Sequence, residues 1–219
     1  EDRNQTFHHV NEYEFSFFRS LKIGKLEHSI KLGHKILKLK SAQALNKVSR
    51  QNEINYHLYY QKIFTRNFIV KGLGSWKYIR ERGINYQVFK FSISADYQGS
   101  FFYYKLFTGF SKDYQLPTLN DLYWNPGGNE ELKTEVCRQL NNGFEISNRI
   151  FLLKGETFHK KYQDLITWEP LNSSVWTPKN TSEATGKGST LHITVKPFSF
   201  FESGIKWTWQ EFNLTPNQN

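Results

Sequence analysis

The sequence predicts an all-β protein, a jelly-roll β-sandwich of about eight strands with long loops and one short helix. Three observations predict it. In residues 86–109, Phe89, Phe91, Ile93, Ala95 and Tyr97 alternate with Lys90, Ser92, Ser94 and Asp96, the period of two that marks a half-buried strand. Segments rich in aromatic and β-branched residues recur along the chain between polar turn stretches, and Phe, Tyr and Trp make up 17% of it, the composition strands favour. Finally, the strands do not alternate with crossover helices and no period of twenty to fifty residues recurs, which argues against a parallel α/β sheet, a propeller or a solenoid.

The elements follow in order. Residues 1–12 are polar and read as an N-terminal arm to a single domain spanning 1–219. Tyr13–Leu21 is a strand with Tyr13, Phe15 and Phe17 on one face. Lys35–Ala44 is read as a strand, with a basic amphipathic helix through Leu26, Ile30 and Leu37 as the alternative, because a short apolar run is not decided by period alone. SRQNEIN (49–55) reads as a loop, Tyr56–Phe64 and Phe68–Leu73 as strands, and Gly72-Leu73-Gly74-Ser75 as a turn. The 86–109 stretch is a hairpin turning at Gln98-Gly99, where Gly99 is expected to supply a positive φ. Its second half, Phe101–Phe107, is apolar on both faces and is expected to be covered on both sides.

Lys112–Gly128 is then an ordered loop in which Thr118 caps a short turn over Leu119–Leu122. Glu130–Leu140 reads as the helix, with Leu132, Val136 and Leu140 at i, i+4, i+8 and acids in its first turn, stopped by Asn141-Asn142-Gly143. Arg149–Phe158 is a strand, Glu169–Ser189 a polar loop, and Leu191–Val195 and Ile205–Phe212 close the chain, with Ile205, Trp207 and Trp209 on one face.

Charge is unevenly distributed. Residues 1–90 hold 17 Lys or Arg against 7 acids, whereas residues 91–219 hold 12 against 13, within a formal net of +9. Lys22, Lys25, Lys31, Lys35, Lys38, Lys40, Lys47 and Arg50 form a basic segment with Glu27 as its one acid. Such a cluster attracts nucleic-acid phosphates without reading bases; equally, lysines keep a strand edge soluble. Trp76, Lys77, Tyr78, Arg80 and Arg82 interleave aromatics with cations, suited to stacking on bases or to a wetted strand. No run of eighteen apolar residues is present, so no membrane span is expected.

The runs FFYYKLFTGFSKDYQLPTLNDLYW and NRIFLLKGETF, the basic KLGHKILKLKSAQ and the final WTWQEFNL resemble pieces of the coat proteins of small circular single-stranded DNA viruses and satellite-type viruses, in the same order. The resemblance implies a single jelly-roll capsid protein located in the virion. It would self-assemble into a homo-oligomeric shell, package single-stranded nucleic acid on Lys22, Lys25, Lys31, Lys35, Lys38, Lys40, Lys47 and Arg50, and meet a host receptor or glycan with its loops.

Chemistry is sparse. The seven His are scattered, Cys137 is a lone cysteine, and neither Asp113 nor Asp121 has a second acid or His placed beside it to make an acid-base pair, so neither a metal site nor a cofactor nor an enzyme is expected. GKGST at Gly186–Thr190 lacks the glycine spacing of a phosphate loop. The rival reading is a secreted β-sandwich binding a carbohydrate or a protein, with Trp76, Trp124, Trp168 and Trp176 as platforms.

Overall fold

Alternating sequence does become strand here, but every strand enters one sheet. The structure, a computed structural model, describes residues 9–23, 26–40, 47–81 and 84–215. Its strands are β1 (His9–Ile23), β2 (Leu26–Lys40), β3 (Lys47–Thr65), β4 (Phe68–Glu81), β5 (Ile84–Gln98) and β6 (Tyr103–Gln115). The helix α1 (Leu119–Tyr123) precedes β7 (Glu135–Ser147), β8 (Phe151–Pro170), β9 (Trp176–Phe198) and β10 (Phe201–Thr215). Their spatial order is their chain order, and each adjacent pair is antiparallel. A jelly roll needs strands distant in sequence to pair and a second sheet to cover the first. Neither occurs among the described residues, so the sandwich is corrected to an up-and-down meander.

Register sorts the residues into two faces. The positions of β3 opposite Ile79, Lys77, Ser75, Leu73 and Lys71 are Glu53, Asn55, His57, Tyr59 and Gln61, nearly all polar. The intervening positions are Ile54, Tyr56, Leu58 and Tyr60. That apolar face continues through Phe89, Phe91, Ile93 and Tyr97 of β5 onto Tyr104, Leu106 and Phe110 of β6 and Leu140, Phe144 and Ile146 of β7. It ends on Ile205, Trp207 and Trp209 of β10, opposite Ile193, Leu191 and Ser189.

Exposure runs opposite to that of a water-soluble sheet. Leu106 on the apolar face is 64% exposed and Ile205 74%, while Asp96 on the polar face is 4%. Among the described residues no other layer covers the polar face, so its burial means that the sheet curls toward it and crowds its side chains. Only a small apolar core forms there: Ile79, Tyr86 and Val88 pack together, and Tyr114 and Leu116 close over them where the end of β6 leaves β5.

Two close approaches explain glycines within these strands. Gly143 faces Phe107 across the β6–β7 ladder and Gly155 faces Phe144 across β7–β8. A Cβ at either position would overlap the opposing ring. Each ring lies over bare backbone, a device that pins register and compensates the glycine's missing side chain.

Several local expectations change. SRQNEIN lies inside β3, and Gly72–Ser75 inside β4 rather than in a turn. Glu130–Leu140 forms no helix: Glu135–Ser147 is strand, running straight through Asn141-Asn142-Gly143. A spacing of four residues is even, so Val136 and Leu140 satisfy a strand's period of two as well as a helical stripe. Glu169–Ser189 is mostly the tip of the long β8–β9 hairpin. Residues 99–102 make the β5–β6 turn, and Gly99 does not adopt the left-handed backbone. Its N–H donates to the Phe102 carbonyl at 2.8 Å, and an added Cβ would sit 3.0 Å from that oxygen, which is why glycine fits. Of the expected arm, residues 9–12 open β1 and 1–8 lie outside the described residues. The cap at Thr118 does form: its hydroxyl accepts from the Asp121 N–H at 3.1 Å, and its own N–H donates to Asp121 Oδ2 at 2.7 Å.

Candidate functional site

Among the described residues, connections of two to four residues (66–67, 99–102, 148–150 and 199–200) lie at one end of the sheet. At the other end the strands overrun and the longer connections, 116–134 and 171–175, gather. The polar face and this loop end together form the site.

On the polar face, ion pairs cross successive ladders. Lys77 Nζ lies 2.6 Å from Glu53 Oε2 between β4 and β3, Lys71 pairs with Asp96 between β4 and β5, and Lys90 Nζ lies 2.9 Å from Asp113 Oδ1 between β5 and β6. Lys154 and Glu156 pair along β8 at 2.8 Å. Opposite charges on neighbouring strands stabilise their pairing, so these four lysines are neutralised within the face. Asn141, Gln139 and Glu145 continue the polar lining on β7.

At the loop end, the 116–134 segment is bound down onto the β8–β9 hairpin. Trp168 Nε1 donates to Asp121 Oδ1 at 3.1 Å, and Asn129 Nδ2 to the Pro178 carbonyl at 3.1 Å. Asn180 Oδ1 accepts from the Lys133 N–H at 2.8 Å while its amide donates to the Lys133 carbonyl at 3.0 Å and the Asp164 carbonyl at 2.6 Å. A Cβ at Gly127 would overlap the carbonyl oxygen of Trp176, so only glycine lets these backbones meet. Trp124, Trp168 and Trp176 thereby converge on a concavity of about 450 Å³ that Asn120, Pro126 and Val175 also line. Sequence reading named these three tryptophans separately. Their convergence depends on strand overrun that the polar 169–189 stretch concealed. Trp76 is not among them, since it lies on β4 beside Tyr78.

Glu135, at the loop-end start of β7, is only 8% exposed and accepts from the Ile166 N–H at 2.6 Å. Burial pushes its carboxyl above the usual carboxylate range, against the Ile166 hydrogen bond, with Asp121 adding to the rise. A carboxyl with a raised folded pKa contributes stability at low pH that is lost as pH rises through that folded value. Glu135→Gln keeps an acceptor for Ile166, is expected to change stability little, and removes this group's pH dependence. Glu135→Ala orphans a buried N–H at a cost of about 1–3 kcal/mol. Urea unfolding of both variants across the acidic range, followed by tryptophan fluorescence, measures the two effects.

Among the described residues no group of three His, Cys, Asp or Glu could hold a metal ion. The residues expected to bind nucleic acid do not share one face by register. Lys31 and Lys35 pair with Asn55 and Gln51 at polar-face positions, as Lys47 does with Leu39, whereas Lys38 and Arg50 fall at the alternate positions. Lys22 faces Glu27 and Lys40 faces His9 in the β1–β2 ladder, and Lys25 lies outside the described residues.

Comparison with known proteins overturns the viral reading. A 93-residue stretch is 28% identical to the vitamin B12 transporter BtuB of Vibrio vulnificus, covering 42% of this chain and 14% of that protein. In Photobacterium profundum the protein of the same name is 29% identical over 82 residues. The fold matches the siderophore receptor PirA of Pseudomonas aeruginosa over 94% of this chain and 41% of that one, at a TM-score of 0.78 and 12% identity. It also matches the FrpB iron transporter of Neisseria meningitidis over 94% of this chain and 36% of that one, at a TM-score of 0.66 and 11% identity. The chain thus spans well under half of the solved structures it matches. With these similarities the capsid, its shell of identical subunits, its packaged nucleic acid and the virion are withdrawn, as is the secreted binding module. The family model described as "TonB dependent receptor-like, beta-barrel" matches residues 58–219, and by that match over most of its length the chain belongs to the TonB-dependent receptor β-barrel family.

Proposed function

We propose that this chain is part of the wall of an outer-membrane transporter that takes up a large metal-bearing nutrient, such as cobalamin or a ferric siderophore, with TonB as the energising partner. Receptors of this family are transporters, and the chain is not an enzyme. One observation carries the reading: the strands are apolar on their exposed face and polar on their buried one. In water such a sheet would be inside out. In a bilayer it is the required arrangement, because a membrane-crossing sheet turns apolar residues to lipid and polar ones to its interior. That no helix is long and apolar enough to cross a membrane leaves this reading untouched, since strands do the crossing.

The lengths agree. Strands of 13 to 23 residues exceed the roughly 9–11 residues that cross a bilayer at a tilt, so they project beyond it on the long-loop side. Short turns on the periplasmic side and long loops outside are the rule for such barrels, which places the Trp124, Trp168 and Trp176 concavity where cargo first arrives. Vitamin B12, siderophores and iron are the cargoes named for the relatives.

The test is uptake by the full-length protein in a Gram-negative host stripped of its own receptors. Radiolabelled cobalamin and ferric siderophores should accumulate with a functional TonB system and not without one. Recovery of the protein in the soluble fraction, or uptake indifferent to TonB, would overturn the proposal.

A further inference from the structure

The apolar face carries a feature that an undifferentiated lipid-facing wall does not need. Lys112 of β6, Arg138 of β7 and Lys161 of β8 are consecutive partners across two ladders, so three cations stand side by side. Like charges directly opposite each other destabilise a sheet. On the polar face Lys71, Lys77, Lys90 and Lys154 are matched to carboxylates, while Lys105 and Lys160 stand singly over the Phe107 and Phe158 rings. In the row only Lys161 is matched, to Glu183 at 3.1 Å. Arg138 donates to the neutral Gln163 Oε1 at 2.8 Å, and Lys112 Nζ lies 5.0 Å from the centre of the Tyr114 ring. Lys112 and Arg138 have no carboxylate partner among the described residues.

A groove of about 480 Å³ opens on the same face, floored by Gly155 and Thr157 between walls of Leu106 and Phe144 on one side and Leu191 and Trp207 on the other. Gly155 adds no side chain to the floor, and the Phe144 ring leans over that bare backbone. Thr157 is four residues from Lys161 along β8, so the groove lies about 13 Å from the cation row, toward the short-turn end. Phe110 and Leu140, facing each other across β6–β7, supply exposed apolar surface between the two. An apolar slot, an apolar bridge and a row of three cations, two of them without a carboxylate, form the imprint of an amphiphile lying along the strands.

We propose that this groove and row hold one lipid of the surrounding membrane, with an acyl chain between Phe144 and Trp207 and an anionic phosphate-bearing headgroup on Lys112, Arg138 and Lys161. The inference rests on the reading that this face meets a bilayer. Headgroup charge supplies the missing anion and relieves the repulsion along the row. The row lies toward the long-loop end of the belt, so the lipid belongs to the outer leaflet.

The experiment uses the full-length protein in nanodiscs of equal parts phosphatidylglycerol and phosphatidylcholine, released into detergent and weighed by native mass spectrometry. Wild-type protein should retain phosphatidylglycerol preferentially. A Lys112→Gln/Arg138→Gln variant should lose roughly thirtyfold in that retention, from about 1 kcal/mol per cation near a charged surface. Lys196→Gln, a change of one charge near the 199–200 turn at the opposite end, should retain lipid as wild type does. Equal retention of the two lipids, or an equal loss in Lys196→Gln, would overturn the site while leaving the membrane reading intact. Failure of the wild-type protein to enter nanodiscs at all would instead remove the membrane reading, and the site with it.

Discussion

Ile93→Arg in the full-length protein is expected to cost about 2–4 kcal/mol of folding stability in a bilayer, the penalty for a lipid-facing cation near the membrane midplane. Ser92→Arg, one residue away, is expected to cost less than about 1 kcal/mol. The two sites share a strand, a local backbone and a central place in the sheet, with Gly72 and Thr108 beside Ile93 and Leu73 and Gly109 beside Ser92. They differ in parity. Ile93 is exposed on the apolar face, and Ser92 is half-buried on the polar one. An arginine at Ser92 extends over a surface already furnished with charge, while one at Ile93 must reach headgroups along an apolar wall. Urea titration of protein refolded into vesicles reads both. Equal penalties would mean that both faces meet the same medium, and the barrel-wall reading would fall.

The parity behind that prediction was legible in the sequence; the medium on each side was not. Phe89, Phe91, Ile93 and Tyr97 alternate with Lys90, Ser92, Ser94 and Asp96 whether the apolar face meets a second sheet or lipid. Period two says only that one face leaves water. A protein cover implies a sandwich, and a sandwich implies strands no longer than the usual range of about three to ten residues. On that length, polar accumulations at SRQNEIN, at Gly72–Ser75 and across 169–189 read as loops or turns, although those residues lie within strands or the hairpin they close. Strand length was the missed signal. The recurring alternation is continuous with those polar stretches, and strands of this length need a wall rather than a wedge. Thr118 was readable because a capping box is a local matter of three residues. The tryptophan concavity was not, because Trp124 meets Trp168 and Trp176 only when the 116–134 segment folds back over β8 and β9.

The polar face makes the second large prediction, and it is asymmetric. In the Lys71–Asp96 pair the carboxylate side chain is 5% exposed and the lysine 37%. Lys71→Ala leaves a buried carboxylate without its counter-charge, and the uncompensated charge rather than the lost attraction sets the cost. Removing one partner of a fully buried pair costs about 3–5 kcal/mol; the lysine's access to water screens this pair, so about 3 kcal/mol is expected. Asp96→Asn leaves a lysine that already reaches water, and should cost about 1 kcal/mol or less. The double variant should recover most of the loss, because it has no buried charge left to compensate. Urea midpoints of the four proteins at neutral pH form the cycle. A loss from Asp96→Asn as large as that from Lys71→Ala would mean that the attraction itself carries the energy, in which case the inward crowding of this face protects the pair from water more completely than the lysine's exposure implies.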